Sequence, residues 1–293
     1  MLPLEVPSGS HSVLLPPNPS PSPSSAPAAH SLQEPAADAT SGVRWRILVS
    51  APLDGASNMA LDEALMLRAG RTNEAVLRLY SWSRPTLSLG RNQLARDKYD
   101  VERARARGID FVRRPTGGRA VLHHREVTYS VTAPVYLLGS LRESYRAINR
   151  LLIHGLRLLG VDASEADPHG AAPRPGVSPC FMVPTKGEIV AGGRKLVGSA
   201  QVREGGALLQ HGSVLVDDDQ ALASALLLLP VEAPPPPATL HALLERVPTF
   251  DEVADALCTA LPNAAALDTD PLLERDARRA TTRYRDAAWT WHR

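Results

Sequence analysis

The sequence predicts an α+β fold, a mixed β-sheet with flanking helices, from two observations. Strand-like segments with period-two hydrophobicity are interrupted by helical segments rather than alternating with them regularly, which argues against a doubly wound parallel sheet. In the second half of the chain these segments are short and separated by glycine pairs. With 293 residues, 44% of them hydrophobic, the chain has ample material for a buried core.

The elements follow in order. "VRWRILVSAP" reads as a strand, and "DGASNMALDEALMLRAG" as a helix with Asp54 or Ser57 as N-cap and Gly70 just past its end. "AVLRLYSW" and "TLSLGRNQ" alternate on either side of "SRP" and predict a strand pair. "DVERARARG" predicts a helix ending at Gly108, followed by the strand "IDFVRRP", the loop "TGGRA" and the strand "VTYSVTAP". "LRESYRAINRLLIHGLRLLG" puts Tyr145, Ile148, Leu152, Leu156 and Leu159 on one helical face, stopped by Gly160. "GEIVAG", "RKLVGSAQVRE" and "ALLQHGSVLV" predict short strands, "PPPP" at 234–237 a surface loop, and two helices follow at about 249–261 and 271–287.

Residues 1–42 hold nine of the 26 prolines with Ser and Ala between them, too little apolar surface to offset the entropy of ordering, so they predict a disordered extension before a domain spanning 43–293. The formal charge of +1 gives no sign of a nucleic-acid partner, and the chain has no run of eighteen apolar residues to cross a membrane. No Lys or Arg precedes Arg44, so no basic targeting region is expected, and two cysteines in unlike settings suit a reducing cytoplasm.

Those cysteines differ. Cys258 shares a helical stripe with Val253, Ala254, Leu257 and Leu261 and reads as a small core side chain. Cys180 lies between Pro179 and Pro184, in backbone that cannot be helical, beside Phe181 and Met182. It is either a packed loop cysteine or a nucleophile. Fifteen positions on stands Lys195, one of three lysines among 32 cationic residues, directly after Arg194. A chain so biased towards arginine keeps a lysine where a compact ammonium is needed, and an ammonium beside a thiol favours the reactive thiolate. Gly198, Ser199 and Ala200 follow, small enough for a substrate to reach backbone N–H groups that would hold an oxyanion.

The second loaded segment is "RRPTGGRAVLHH". Gly117 and Gly118 allow close backbone approach to a ligand, and Arg113, Arg114 and Arg119 are either anion-gripping groups or exposed charges around a hairpin. Neither a Walker loop nor a G-x-G-x-x-G fingerprint occurs. His123, His124 and His211 lack metal-ligand spacing, so no metal is expected, and structural histidine is the default for each, with His123 the one to test. No G-x-S-x-G elbow supports a serine triad.

Four ordered segments, "NMALDEAL" (58–65), "RRPTGGRAVLHH" (113–124), "GRKLVGSAQ" (193–201) and "LLQHGSVLV" (208–216), resemble the lipoate-protein ligase and octanoyltransferase family, whose catalytic domain is shared with biotin protein ligases. "RYRDAAWTWHR" is similar to the closing stretch of that family. The spacing from "CF" to "GRKLVGSAQ" resembles the cysteine-type octanoyl-carrier-protein transferases. That resemblance implies Cys180 as acyl-thioester nucleophile and Lys195 as the group lowering its pKa. It implies a substrate site built from Arg114, Thr116, Gly117, Gly118, Arg119, Ala120, His123, Gly198, Ser199 and Ala200, without a cofactor. The implied partners are octanoyl-acyl carrier protein as donor and lipoyl domains, those of the glycine cleavage H protein and 2-oxoacid dehydrogenase E2, as acceptors. Three alternatives stay open: an ATP-dependent lipoate or octanoate ligase, an amidotransferase between lipoyl domains, and a non-catalytic lipoyl-domain binder. One departure is His124, where the family usually has Asp.

Overall fold

The computed structural model describes residues 42–166, 187–229, 231, 235–268 and 270–293. The expectations for residues 1–41 and for Cys180, Phe181 and Met182 therefore fall outside the described residues.

Helix α1 (Gly55–Ala69) begins where Asp54 accepts a hydrogen bond from the Ser57 amide at 2.8 Å, and Gly70 caps its end. It is followed by the short α2 (Val101–Ala106) and by α3 (Leu141–Leu158), which starts in a Ser140/Glu143 capping box. Two further short helices, α4 (Ala221–Ala225) and α5 (Leu240–Leu244), precede α6 (Phe250–Thr259), capped by a Thr249/Glu252 box. Then come α7 (Pro271–Arg285), with proline in its first turn, and the single-turn α8 (Ala287–Thr290).

The strands are β1 (Arg44–Val49), β2 (Glu74–Tyr80), β3 (Thr86–Leu89), β4 (Asp110–Arg113), β5 (Val121–His123), β6 (Glu126–Pro134), β7 (Ala163–Glu165), β8 (Ile189–Ala191), β9 (Arg194–Glu204), β10 (Ala207–Leu215) and β11 (Ala265–Ala266). Eight of them form one mixed sheet in the order β11-β1-β2-β6-β10-β9-β8-β7; three form a second, β4-β3-β5. Gly192–Gly193 and Gly205–Gly206 all have positive φ and close the β8–β9 and β9–β10 hairpins, which is why glycine pairs separate these strands. β5, β7 and β11 were not expected; at two or three residues each they are too short to show a period.

One expected pairing is corrected. β2 and β3 do not pair: β2 lies between β1 and β6 in the large sheet, and β3 is the centre of the small one. Alternation marks a strand without naming its neighbour, and β2, buried along its whole length, is an interior strand.

The main core lies on one face of the large sheet, where Leu77, Leu79, Val131 and Leu208 meet Ile148, Leu152 and Leu156 of α3 and Leu257 of α6. Fully burying a side chain of this size contributes roughly 1.5–3 kcal/mol. Cys258 packs at the margin of this core, half-buried, and burial pushes its thiol above the ordinary range, as suits an inert side chain. On the opposite face α1 packs against α7 through Ala64, Leu65 and Leu273. No helix among the described residues is long and apolar enough to cross a membrane.

Candidate active site

A cavity opens between α1, the small sheet and the middle of β9 and β10. Of the sequence-predicted substrate residues, Arg114, Gly118, His123, Gly198, Ser199 and Ala200 line it, together with Met59, Tyr80, Ser88, His211 and Ser213. β9 runs past β8, which pairs with it only as far as Val197. From Gly198 onward β9 is therefore paired on the β10 side alone among the described strands, and alternate backbone groups of "GSA" have no strand partner at the cavity. Gly212, opposite Ser199, is required by close packing: a Cβ there would sit 2.4 Å from the Gly198 carbonyl oxygen.

Beneath the cavity the α1 side of the sheet carries a buried charged network. Asn58 and Asp62, one helical turn apart, face the sheet and are fully buried. Asp62 accepts from Arg78 (2.7 Å), Tyr80 (2.9 Å), Ser130 (2.8 Å) and the His211 ring (3.1 Å), while Asn58 accepts from Arg78 at 2.7 Å. Burial alone would raise the Asp62 carboxyl; the Arg78 guanidinium and the His211 contact outweigh it and hold the group below the usual carboxylate range. Burial pushes His211 the other way, below the ordinary imidazole value: desolvation outweighs the Asp62 contact, and the nearby Arg114 charge adds to the shift. A neutral His211 donating from Nδ1 to Asp62 accepts at Nε2 from Thr116, 2.6 Å away. Thr116 is thereby tied through histidine to the floor of the site, and His211, expected to be merely structural, becomes the link.

A second line of polar groups forms the cavity wall. The Ser88 hydroxyl lies 2.8 Å from His123 Nε2, and His123 Nδ1 lies 3.3 Å from Glu126. Arg114 donates to Ser88 at 3.0 Å, so the hydroxyl passes its own hydrogen to His123, which donates in turn to the carboxylate. His123 stacks on Trp82 with centroids 4.1 Å apart, which fixes the ring. These residues come from β3, β5 and β6, so the hydroxyl–imidazole–carboxylate line exists without a sequence elbow. Its polarity suits proton transfer at the wall.

The arginines before the glycine loop are internal staples. Arg114 donates to the carbonyls of Ser88, Gly117 and Arg119, and Gly118, at φ +93°, completes the turn. Arg113 is wholly buried and donates to the carbonyls of Gly90, Gln93 and Thr290, joining the loop to the C-terminal stretch. Gly117 and Arg119 are half-exposed on the loop and Ala120 is buried behind it.

Lys195 is 3% exposed, and its ammonium lies 2.7 Å from the Glu188 carboxylate. The β8–β9 register shifts at Ile189/Val190: Ile189 faces Val197, whereas Val190 faces Lys195, leaving Leu196 as an extra residue in β9. Strict alternation would put Lys195 on the same face as Val197 and Ser199. The bulge moves it to the other face, that of Gly198 and Ala200, though Lys195 itself does not line the cavity. Cys180, the expected partner of Lys195, lies outside the described residues. His124 is on the surface, 2.7 Å from Asp219. Among the described residues no three His, Cys, Asp or Glu side chains cluster as metal ligands would.

Sequence reasoning missed Asp62, Arg78, Glu126 and Glu188 as parts of the site. The available signal was polar residues inside apolar elements: Asn58 and Asp62 at i and i+4 in α1, and Arg78 in the middle of "AVLRLY".

Residues 54–262 match the family model of the lipoyl protein ligase A/B catalytic domain. The octanoyltransferase LipM of Kyrpidia tusciae is 49% identical over 191 residues, 62% of this chain and 70% of that protein. The octanoyltransferase LipM of Symbiobacterium thermophilum is 38% identical over 255 residues, 81% of this chain and 93% of that protein. The fold matches a lipoate-protein ligase A bound with ATP at a TM-score of 0.70 and 25% identity, over 85% of this chain and 99% of the other. The expected lipoate-ligase-like architecture is thus the one found.

Proposed function

The chain belongs to the lipoyl protein ligase A/B catalytic-domain family, and on that premise we propose that it is an octanoyltransferase of protein lipoylation, acting through Cys180 on an octanoyl thioester of acyl carrier protein. The activity, octanoyl transfer for lipoylation, rests on one observation above all, the near full-length likeness to the Symbiobacterium octanoyltransferase. An ATP-dependent ligase is disfavoured, since the relatives at 38–49% identity are named octanoyltransferases and the ligase structure stands at 25%. A cytoplasmic setting fits the sparse cysteines.

In the proposed first half-reaction the Cys180 thiolate attacks the thioester carbonyl, and the carrier's pantetheine thiol leaves as octanoyl moves to the enzyme. Those backbone N–H groups of Gly198–Ala200 that point away from β10, without a partner among the described strands, would hold the oxyanion. In the second half-reaction a lysine amine of a lipoyl domain attacks the enzyme thioester; the amide forms, the amine loses its proton and Cys180 is released. One thioester exchanged for another is close to thermoneutral and the amide lies downhill, so the chemistry requires no nucleotide. The cavity bounded by Met59, Gly198 and Ala200 suits an apolar chain, in which each buried methylene contributes about 0.8 kcal/mol.

Lys195 is assigned to thiolate stabilisation, with Glu188 holding its ammonium in place. Pairing at 2.7 Å weakens the field that reaches a thiolate, so the lysine's compactness and position matter more than its bare charge. Arginine at this position keeps the charge but cannot keep the geometry. Lys195→Arg should lower kcat about 100-fold or more in a steady-state transfer assay; near-normal turnover would remove the lysine from the mechanism. The direct test is intact mass after incubation with octanoyl-carrier protein, without ATP. An octanoyl adduct absent in Cys180→Ser supports the covalent route, whereas transfer by an unmodified wild-type protein refutes it.

A further inference from the structure

Several exposed arginines in this protein are neutralised locally. Arg91 meets Glu204, Arg103 meets Asp100, Arg125 meets Asp217, Arg246 meets Glu252 and Arg278 meets Glu274, all within 3.3 Å. Among the described residues other exposed arginines, Arg107 and Arg279 for example, lack such a partner, but helix α3 gathers three in one row. Arg142, Arg146 and Arg150 are exposed on it, and none has a carboxylate within ion-pair distance among the described residues. At i, i+4 and i+8 they fall within about 80° of one face, at about 100° per residue, and along about 12 Å of axis. Like charges at this spacing repel, so the helix carries the row against its own stability. The single acid of α3, Glu143, is committed to the capping box at the helix start.

Arg142 and Arg146, with Leu141 and Tyr145, line a broad surface groove whose other wall is Glu165, Ala166, Gly187 and Gln201. Among the described residues Glu165 is the only carboxylate lining it, and it makes no ion pair with the arginines. Ala166 and Gly187 adjoin in sequence the segment that holds Cys180, and Gln201 follows Ala200 of the cavity along β9. An anionic partner that must deliver a group to that cysteine meets complementary charge here.

We propose that this groove, with the arginine row of α3, is the docking surface for the acidic carrier protein that donates the octanoyl thioester, the guanidinium groups taking its carboxylates and the phosphodiester of its pantetheine arm. The inference rests on the carrier-protein reading above. Of the two macromolecular substrates, the donor is the better match. The acceptor presents a lysine, whose positive charge an arginine-lined approach repels, while the donor's arm carries a phosphodiester suited to paired guanidinium donors.

The test compares Arg142→Glu/Arg146→Glu with wild type in steady-state transfer from two donors, octanoyl-carrier protein and the uncharged thioester S-octanoyl-N-acetylcysteamine. The KM for the carrier protein should rise at least about tenfold, its dependence on salt should flatten, and kcat/KM for the uncharged thioester should stay within about twofold. Arg142→Lys/Arg146→Lys should keep most of the wild-type KM. An unchanged carrier-protein KM, an equal loss with both donors, or a rise confined to the KM of the lipoyl domain each overturns the proposal. Wild-type protein that uses the small thioester but no carrier protein would instead refute the carrier-protein reading, and this docking surface with it.

Discussion

The two faces of the large sheet solve the same problem with different materials. Adjacent residues of one strand point to opposite sides, so His211 and Ser130 join the charged network under α1, while Gln210 and Tyr129 join a neutral one under α3. On the neutral side Tyr129 contacts Ser199 at 2.7 Å and accepts from Gln210 at 3.0 Å, and Gln210 reaches Asn149 of α3 at 3.3 Å. The charged side holds an ion pair in which both side chains are fully buried. Burying charge is expensive unless each group is matched, whereas a neutral network loses little when one bond goes. The charged face is also the one that carries the cavity, and its cost is accepted where it fixes Tyr80, His211 and, through Thr116, the glycine loop.

This contrast makes graded predictions. The largest effect belongs to Asp62→Asn, which leaves Arg78 charged and buried and replaces an acceptor with an amide facing Tyr80 and His211. Unfolding in urea should show a loss of about 3–5 kcal/mol. A loss below about 1 kcal/mol would mean that the two faces do not differ in kind.

A smaller effect comes from pH. His211 is held neutral in the folded state, while the unfolded chain takes up its proton near the ordinary value of 6.5. The unfolded state therefore binds more protons below that value, and stability, fully present above it, declines as pH falls through 6.5 towards the lowered folded value. The limiting slope is about 1.4 kcal/mol per pH unit for one group. Urea midpoints measured between pH 7.5 and 5 should show this decline, and His211→Gln should flatten it; an unchanged slope would place the titration elsewhere.

The smallest effect is expected on the neutral face. Tyr129→Phe removes one hydroxyl from a network with no ion in it and should cost about 1 kcal/mol in the same assay. A loss as large as that of Asp62→Asn would erase the distinction between the faces.

Much of the fold was legible because its signals are local. Asp54 and Gly70 bracket α1 as read, β9 and the glycine-closed hairpins fall where their pattern put them, and the stripe of α3 is the buried one. The candidate site was legible only in part. The loop and the "GSA" strand do line one cavity, but Arg113 and Arg114, read as ligand grips or exposed hairpin charges, turn inward to carbonyls supplied by segments as distant as Thr290. A guanidinium has the same pattern in sequence whether it meets solvent, an anion or a carbonyl.

What the sequence by itself determined is thus the class of the fold, the ends of its principal elements and two of the segments that line the cavity, because caps, periods and glycine turns act between residues a few positions apart. The tertiary structure alone decided that β2 and β3 part company, that a bulge turns Lys195 to the face of Gly198 and Ala200, and that Asp62, Arg78 and His211 meet. Pairing and charge balance are settled between groups far apart in the chain, by desolvation and by the partner that burial brings near, and neither has a local period to read.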